Sequence, residues 1–235
     1  MDIMELWLFF LRWIHFLAGI TWIGILYYFN FVQTPFFAET EPAVRSGAIQ
    51  KLVPRALWWF RWGAMGTFLA GILIYIHKIV QSGGGGFFST SYGWAITVGG
   101  LLGTIMFLNV WLVIWPNQKV VIASTTQVAK GGQAMPEAAN CARRAALTSR
   151  TNVVFSIPML FYMAAASHLT IFGQASVKGM IGLTVIGGLI VAAIEANALM
   201  GLQGETKKPL DTVAGALWSG FILTAILYLL FLVLF

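Results

Sequence analysis

The sequence predicts an all-α, polytopic membrane protein: a single domain over residues 1–235, built as a bundle of six transmembrane helices. Of its 235 residues, 59% are hydrophobic and only 9% are charged, whereas soluble domains carry about 25% charged residues. The apolar residues form segments of the roughly 20 residues that a helix needs to cross a bilayer. So few charges exclude a soluble domain, and we expect a lipid bilayer, and no nucleic acid, around this chain.

Six segments are long and apolar enough to cross a membrane. They cover residues 6–33, 56–80, 92–115, 152–172, 175–199 and 212–235. The polar connection over 39–55 predicts a short surface helix. The longest connection, 118–150, predicts a helical hairpin with 138–148 as one arm.

The positive charges predict the orientation of the bundle. Eleven of the fourteen Lys and Arg residues lie at the first, third and fifth connections, and only Arg12, Lys78 and Lys178 lie on the opposite side. Because positive residues are enriched in cytoplasmic loops, the odd-numbered connections are expected to be cytoplasmic. Both termini are then periplasmic, and the location is the bacterial inner (cytoplasmic) membrane, with several passes.

Three histidines, the only ones in the chain, fall inside predicted spans. His15 precedes Gln33 by 18 positions, or about 27 Å at 1.5 Å per residue. His77 and His168 each lie 16 positions, or about 24 Å, from the inner ends of their helices. The three imidazoles are therefore expected at one level, in the outer third of the membrane.

Imidazoles that face each other across a helix bundle can hold a haem iron from both sides. We therefore predict haem b, with its iron bound by His77 and His168 or by His15 with either of them. Arg12 lies one helical turn before His15 and is a candidate partner for a haem propionate. Copper bound by three histidines is an alternative. A third alternative is that the histidines only make hydrogen bonds near the interface.

Other polar residues recur near the inner ends or the middle of the predicted helices: Asn30, Gln33, Asn109, Glu195 and Asn197. They predict either hydrogen bonds between helices or an inner polar pocket with a proton path. Glu195 is the acidic side chain available inside a span to carry a proton.

Three segments resemble the N-terminal membrane domain of the bacterial membrane-bound urate oxidase (urate hydroxylase) family. They are HFLAGITWIGILYYFNFVQTPFF (His15–Phe37), FLNVWLVIWPNQK (Phe107–Lys119) and SRTNVVFSIPMLFYMAAASH (Ser149–His168). The positions concerned are His15, Trp22, Asn30, Asn109, Trp115, Pro116, Asn117, Arg150, Asn152 and His168. The first segment is also similar to the copper-resistance D and membrane protoporphyrinogen oxidase families.

The resemblance implies oxidation of urate to 5-hydroxyisourate, with electrons passed to a periplasmic c-type cytochrome. In that family the cytochrome usually follows the membrane domain, but this chain contains no Cys-x-x-Cys-His. We therefore expect the cytochrome to be a separate polypeptide, or the role to have changed.

Two functional classes remain open. One is an enzyme that oxidises urate or a similar small substrate; the other is a non-catalytic electron-transfer or structural subunit of a respiratory complex. A copper or haem-precursor membrane protein is a weaker third alternative.

A planar urate anion would need a cation and amide-type partners in a concave site. Candidate residues on the inner side are Asn30, Gln33, Arg150 and Asn152, and the outer alternative lies beside Arg12.

Overall fold

The computed structural model describes residues 3–169 and 176–234, and this part of the chain is helical, without strands. Residues 170–172 and 175, which the sequence assigned to the fourth and fifth spans, lie outside the described residues, as does residue 235. The α-helices are α1 (Ile3–Tyr27), α2 (Thr34–Glu39), α3 (Pro42–Lys51), α4 (Val53–Gln81), α5 (Gly85–Phe88), α6 (Ser91–Leu108), α7 (Trp115–Ala129), α8 (Ala138–His168), α9 (Val177–Gly182), α10 (Gly188–Leu199) and α11 (Val213–Leu234). The connection before α11 contains a 3₁₀ helix, Glu205–Asp211.

Three segments of π-helix join consecutive α-helices: π1 (Tyr28–Gln33), π2 (Asn109–Ile114) and π3 (Leu183–Gly187). Continuous helical rods therefore run over Ile3–Glu39 and Ser91–Ala129.

Five helices are long and apolar enough to cross a membrane, and they confirm a multi-pass membrane protein. They are Ile3–Glu39, Val53–Gln81, Ser91–Ala129, Val177–Leu199 and Val213–Leu234. The predicted surface helix is α3, and the predicted hairpin over 118–150 is formed by α7 and the first turns of α8.

The segment expected as the fourth span lies in α8, which is not among those five helices. This helix carries polar side chains along its length, and its buried residues include Arg150, Asn152, Ser156 and Tyr162. It packs against α6, α7, α10 and α11. A helix enclosed by other helices does not need the apolar exterior that lipid requires, and this accounts for its lower hydropathy.

Small residues allow close packing between the helices. Gly63 and Gly66 of α4 lie against the backbone and Cβ of Ala18 in α1, and α6 places Gly99 beside Met159 and Met163 of α8. Such small contacts are typical of membrane helix pairs, where shape complementarity replaces the hydrophobic effect. The core that results contains Trp22, Phe60, Met106, Phe155 and Phe231, along with many aliphatic side chains.

Gly220 is the contact point of α11 with α8, and its replacement tests this packing. A Cβ at Gly220 would lie 3.0 Å from the carbonyl oxygen of Val154 and would overlap the side chain of Ile157. We expect Gly220→Leu to destabilise the fold by about 1–3 kcal/mol, the usual cost of overpacking. The measurement is the midpoint of thermal unfolding in detergent.

Gly24→Leu is the matched control, because Gly24 is exposed and no atom lies within 4 Å of a Cβ built there. It should unfold close to the wild-type temperature. Equal losses in the two variants would contradict this account of the α8–α11 contact.

Candidate functional site: a polar cavity with a buried arginine

A cavity of about 250 Å³ lies at the end of the bundle where π1, α4, α7 and α8 meet the 3₁₀ segment before α11. Its apolar wall includes Phe29, Phe60 and Ile114. Its polar and charged lining residues are Asn30, Gln33, Thr34, Gln118, Arg143, Ser149, Arg150 and Asp211. The volume is just below the range of about 300–1,000 Å³ that is usual for ligand pockets, so the cavity suits only a small molecule.

The cavity depends on the two π-helical turns beside it. Each of these segments ends shortly before a proline: π1 before Thr34-Pro35 and π2 before Trp115-Pro116. A proline ring clashes with the carbonyl group four residues earlier and supplies no N–H for the helix ladder. A wider π turn relieves this clash, and such turns are common at functional sites. In π1 the turn carries Asn30 and Gln33 into the cavity wall.

Arg150 is the buried cation of this site, with 7% of its surface exposed. Its Nε donates a hydrogen bond to Oδ1 of Asn30 at 2.8 Å. Its Nη1 is buried and has no hydrogen-bond partner. Because a guanidinium stays protonated in proteins, this unpaired group is a permanent positive donor in the cavity wall.

Asn30 fixes the orientation of that guanidinium. Its Nδ2 donates to the carbonyl of Leu26 and to Oγ of Ser149, both at 2.8 Å. With Oδ1 accepting from Arg150, the amide bridges α1, π1 and α8. Asn30 is 3% exposed, so this bridge is protected from water.

The rim of the cavity contains an ion pair. Arg143 Nη1 lies 2.6 Å from Asp211 Oδ1, and Arg143 Nε donates to the carbonyl of Leu202. The lining therefore contains two guanidiniums and one carboxylate, a net charge of +1. A cavity of this charge favours a monoanion.

Three of the four residues predicted for an inner substrate site, Asn30, Gln33 and Arg150, line this one cavity. Asn152 does not. Its amide accepts from Asn109 Nδ2 at 2.9 Å and donates to the carbonyl of Met106 at 3.0 Å. Asn152 lies two positions beyond Arg150, so the helical twist turns it toward α6 and away from the cavity.

Glu195 belongs to that second polar cluster. Its Oε2 accepts a hydrogen bond of 3.1 Å from Asn109 Nδ2, which also bonds Asn152. This cluster therefore links α10, π2 and α8. Asn197, in contrast, bonds Thr206 and caps the connection after α10.

The histidines are not all at one level, which corrects the sequence-based estimate. His15 Nδ1 donates to the carbonyl of Thr67 at 2.9 Å, and its ring lies against Gly71. His77 follows Gly71 by six residues on the same helix, or about 9 Å. The estimate assumed that each helix begins at the same depth, but the packing of α1 on α4 sets His15 nearer the middle of α4.

His77 and His168 are closer to a common level. Two contacts connect the three helices there: Tyr75 with Thr97, and Gly99 with Met163. Counting from these contacts places His77 and His168 within one helical turn of each other along the bundle. His77 Nε2 is buried without a partner, whereas His168 is exposed at the end of α8. Arg12 is also exposed.

Neither of the two cavities described in this structure has a histidine in its lining. Within residues 3–169 and 176–234, no three His, Cys, Asp or Glu side chains are grouped so that they could hold a metal ion. The three-histidine copper site is therefore wrong for this part of the chain.

Several cavity residues were missed from the sequence: Phe29, Phe60, Gln118, Arg143, Ser149 and Asp211. The sequence contained a signal for two of these residues. Gln118 lies two positions after Pro116, in the Trp-Pro pair that follows π2, and Ser149 adjoins Arg150. Asp211 and Arg143 are 68 positions apart, and no local pattern relates them.

Asn30→Ala should destabilise the protein, because it leaves Arg150 Nε and Ser149 Oγ without their partner. The expected loss is about 1–3 kcal/mol, the cost of unpaired buried polar groups. Thermal unfolding in detergent measures it. Asn117→Ala is the control, since the Asn117 amide bonds only the carbonyl of Val113 in its own helix among the contacts that we describe. Equal losses for the two variants would contradict the bridging role of Asn30.

The comparisons with known proteins identify the family. The pattern of the family described as "Urate oxidase N-terminal" matches residues 85–227. No curated protein and no solved structure matches the chain. The match covers more than half of the sequence and includes π2, α8 and the 3₁₀ segment of the cavity. The chain therefore belongs to the urate oxidase N-terminal family.

Proposed function

We propose that this protein is a urate-oxidase-like membrane protein that binds urate, or a similar small planar anion, in the cavity beside Arg150. The observation that carries the proposal is the buried guanidinium of the lining residue Arg150, whose Nη1 has no hydrogen-bond partner. A buried donor of this kind is costly unless a ligand or water pairs with it.

The shape and charge of the cavity support this ligand. Phe29 and Phe60 contribute aromatic rings to the wall, 5.6 Å apart and perpendicular to each other. A flat heterocycle can pack against such rings. Urate is a monoanion at neutral pH and matches the net charge of +1 that the lining provides.

The proposed reaction is a two-electron oxidation. The urate monoanion and one water yield 5-hydroxyisourate, one proton and two electrons; a bond forms between the water oxygen and C5 of the ring. Arg150 would hold the anion, while Asn30 keeps the guanidinium in place. Glu195 is the carboxylate to which we assign the proton, because it accepts from Asn109, which also bonds Asn152 two residues beyond Arg150.

Haem b is the proposed electron acceptor, and it would supply one-electron chemistry between the substrate and a partner protein. His77 and His168 would hold its iron best, because they lie within one helical turn of each other along the bundle and His77 Nε2 is unpaired. His15 fits less well at the level that it occupies, although its Nδ1–carbonyl bond is typical of metal-ligating histidines. Arg12 remains the candidate for a propionate.

The electrons would pass to a periplasmic c-type cytochrome. We propose six membrane spans, with α8 as the fourth, because it lies antiparallel to the membrane-spanning helix α6. The charge distribution supports a topology with both termini in the periplasm and the cavity on the cytoplasmic side of the inner membrane. Urate formed in the cytoplasm would enter the cavity directly.

A second candidate is a non-catalytic electron-transfer or structural subunit of a respiratory complex. It is favoured by the single cysteine of the sequence, Cys141, which cannot form a Cys-x-x-Cys-His haem-attachment site. The two candidates differ in whether urate itself reduces the haem.

Arg150→Ala should weaken urate binding by roughly 10- to 100-fold, because a hydrogen bond to a charged group contributes about 1.5–3 kcal/mol. Equilibrium dialysis of the purified protein with labelled urate measures this. Arg55→Ala removes a positive charge from the same side of the bundle at an exposed site, and it should retain wild-type affinity. Wild-type protein that does not bind urate would overturn the proposal.

A reduced-minus-oxidised optical spectrum tests the haem. We expect a b-type spectrum in the wild type, its loss in His77→Ala and in His168→Ala, and its retention in His15→Ala. A normal spectrum in both of the first two variants would exclude this ligand pair. If urate binds to the oxidised protein without reducing the haem, the subunit is the correct candidate.

A further inference from the structure

Two residues that line the same cavity each carry a buried side-chain atom without a hydrogen-bond partner, and the two atoms are of opposite hydrogen-bonding type. One is the donor Nη1 of Arg150, and the other is the acceptor Oε1 of Gln33. Among the described residues, six other buried side-chain atoms are also unpaired, but none of them belongs to a residue that lines this cavity.

The fold positions both residues. Arg150 is fixed through its Nε bond to Asn30, while its Nη1 has no partner. Gln33 is the last residue of π1, two positions before Pro35. The donor therefore comes from α8 and the acceptor from the first helical rod.

A ligand that satisfies both atoms must accept one hydrogen bond and donate another from the same small molecule. Cyclic amides, imides and ureides do so, because they carry N–H groups next to C=O groups. Carboxylates have no proton to donate, so they would pair with Arg150 but would place an acceptor against the Gln33 oxygen. A site built around a donor–acceptor pair rejects ligands that lack one of the partners, because a buried group is then left unpaired.

We propose that Gln33 is a specificity-determining residue that selects anions with a ring N–H beside a carbonyl, such as oxidised purines, over planar carboxylates. This inference rests on the proposed function, since it assigns the ligand to the same cavity. Arg150 provides affinity for the negative charge, and the amide oxygen of Gln33 accepts a hydrogen bond from the ring N–H.

The test compares two planar monoanions, urate and benzoate, in competition dialysis with the full-length protein. Gln33→Met keeps the length of the side chain and removes the amide. It should weaken urate binding on the order of tenfold, the factor for one hydrogen bond, and leave benzoate binding unchanged. Gln81→Met is the matched control, because Gln81 is an exposed amide at the end of α4 and does not line the cavity. It should preserve the ratio of the two affinities.

A second measurement does not depend on the folding of any variant. The four mono-N-methylurates each replace one ring N–H position with a methyl group. At least one of them should bind the wild type on the order of tenfold more weakly than urate.

Each outcome bears on a different claim. If wild-type protein binds urate, and Gln33→Met keeps its preference over benzoate while all four methylurates bind like urate, the role of Gln33 is overturned and the proposed function stands. If the wild type binds no urate, both are overturned.

Discussion

The hydrogen bond from Arg150 to Asn30 connects two helices that are 120 positions apart in the sequence. The rest of the cavity depends on it, because it orients the guanidinium and joins π1 to α8. Without this contact, a charged group would be buried in the interior with no fixed partner, which proteins rarely tolerate. The bridge from Asn30 to Ser149 and Leu26 makes the arrangement rigid at the point where a ligand would bind.

Many large apolar side chains of this protein face outward, and its buried interior contains polar groups among the apolar core. Large side chains such as Ile20, Val80 and Leu189 are well exposed, as expected of a surface in contact with lipid. The central helix α8, in contrast, carries the polar residues of both the cavity and the Asn109–Asn152–Glu195 cluster. Because lipid offers no hydrogen bonds, each of these groups must find its partner within the bundle.

Two prolines, and the π-helical turns that precede them, determine where several of these polar side chains lie. Pro35 and Pro116 each follow a π segment, and these segments contribute Asn30, Gln33 and Asn109. The first segment provides polar lining of the cavity, and the second provides the amide that bonds Glu195.

The sequence by itself determined the class of protein, the positions of five apolar helices and three polar residues of the cavity, Asn30, Gln33 and Arg150. These follow from local composition: hydrophobic length identifies a membrane helix, and a rare Asn, Gln or Arg at its inner end is conspicuous. The family resemblance was also carried by contiguous motifs.

Only the tertiary structure decided which polar residues meet. Asn152 points to Asn109 because of the helical twist, Arg143 pairs with Asp211 across a long separation, and His15 is shifted from His77 by the packing of α1 on α4. Side-chain contacts between distant helices depend on their register, and no local pattern in the sequence encodes that register.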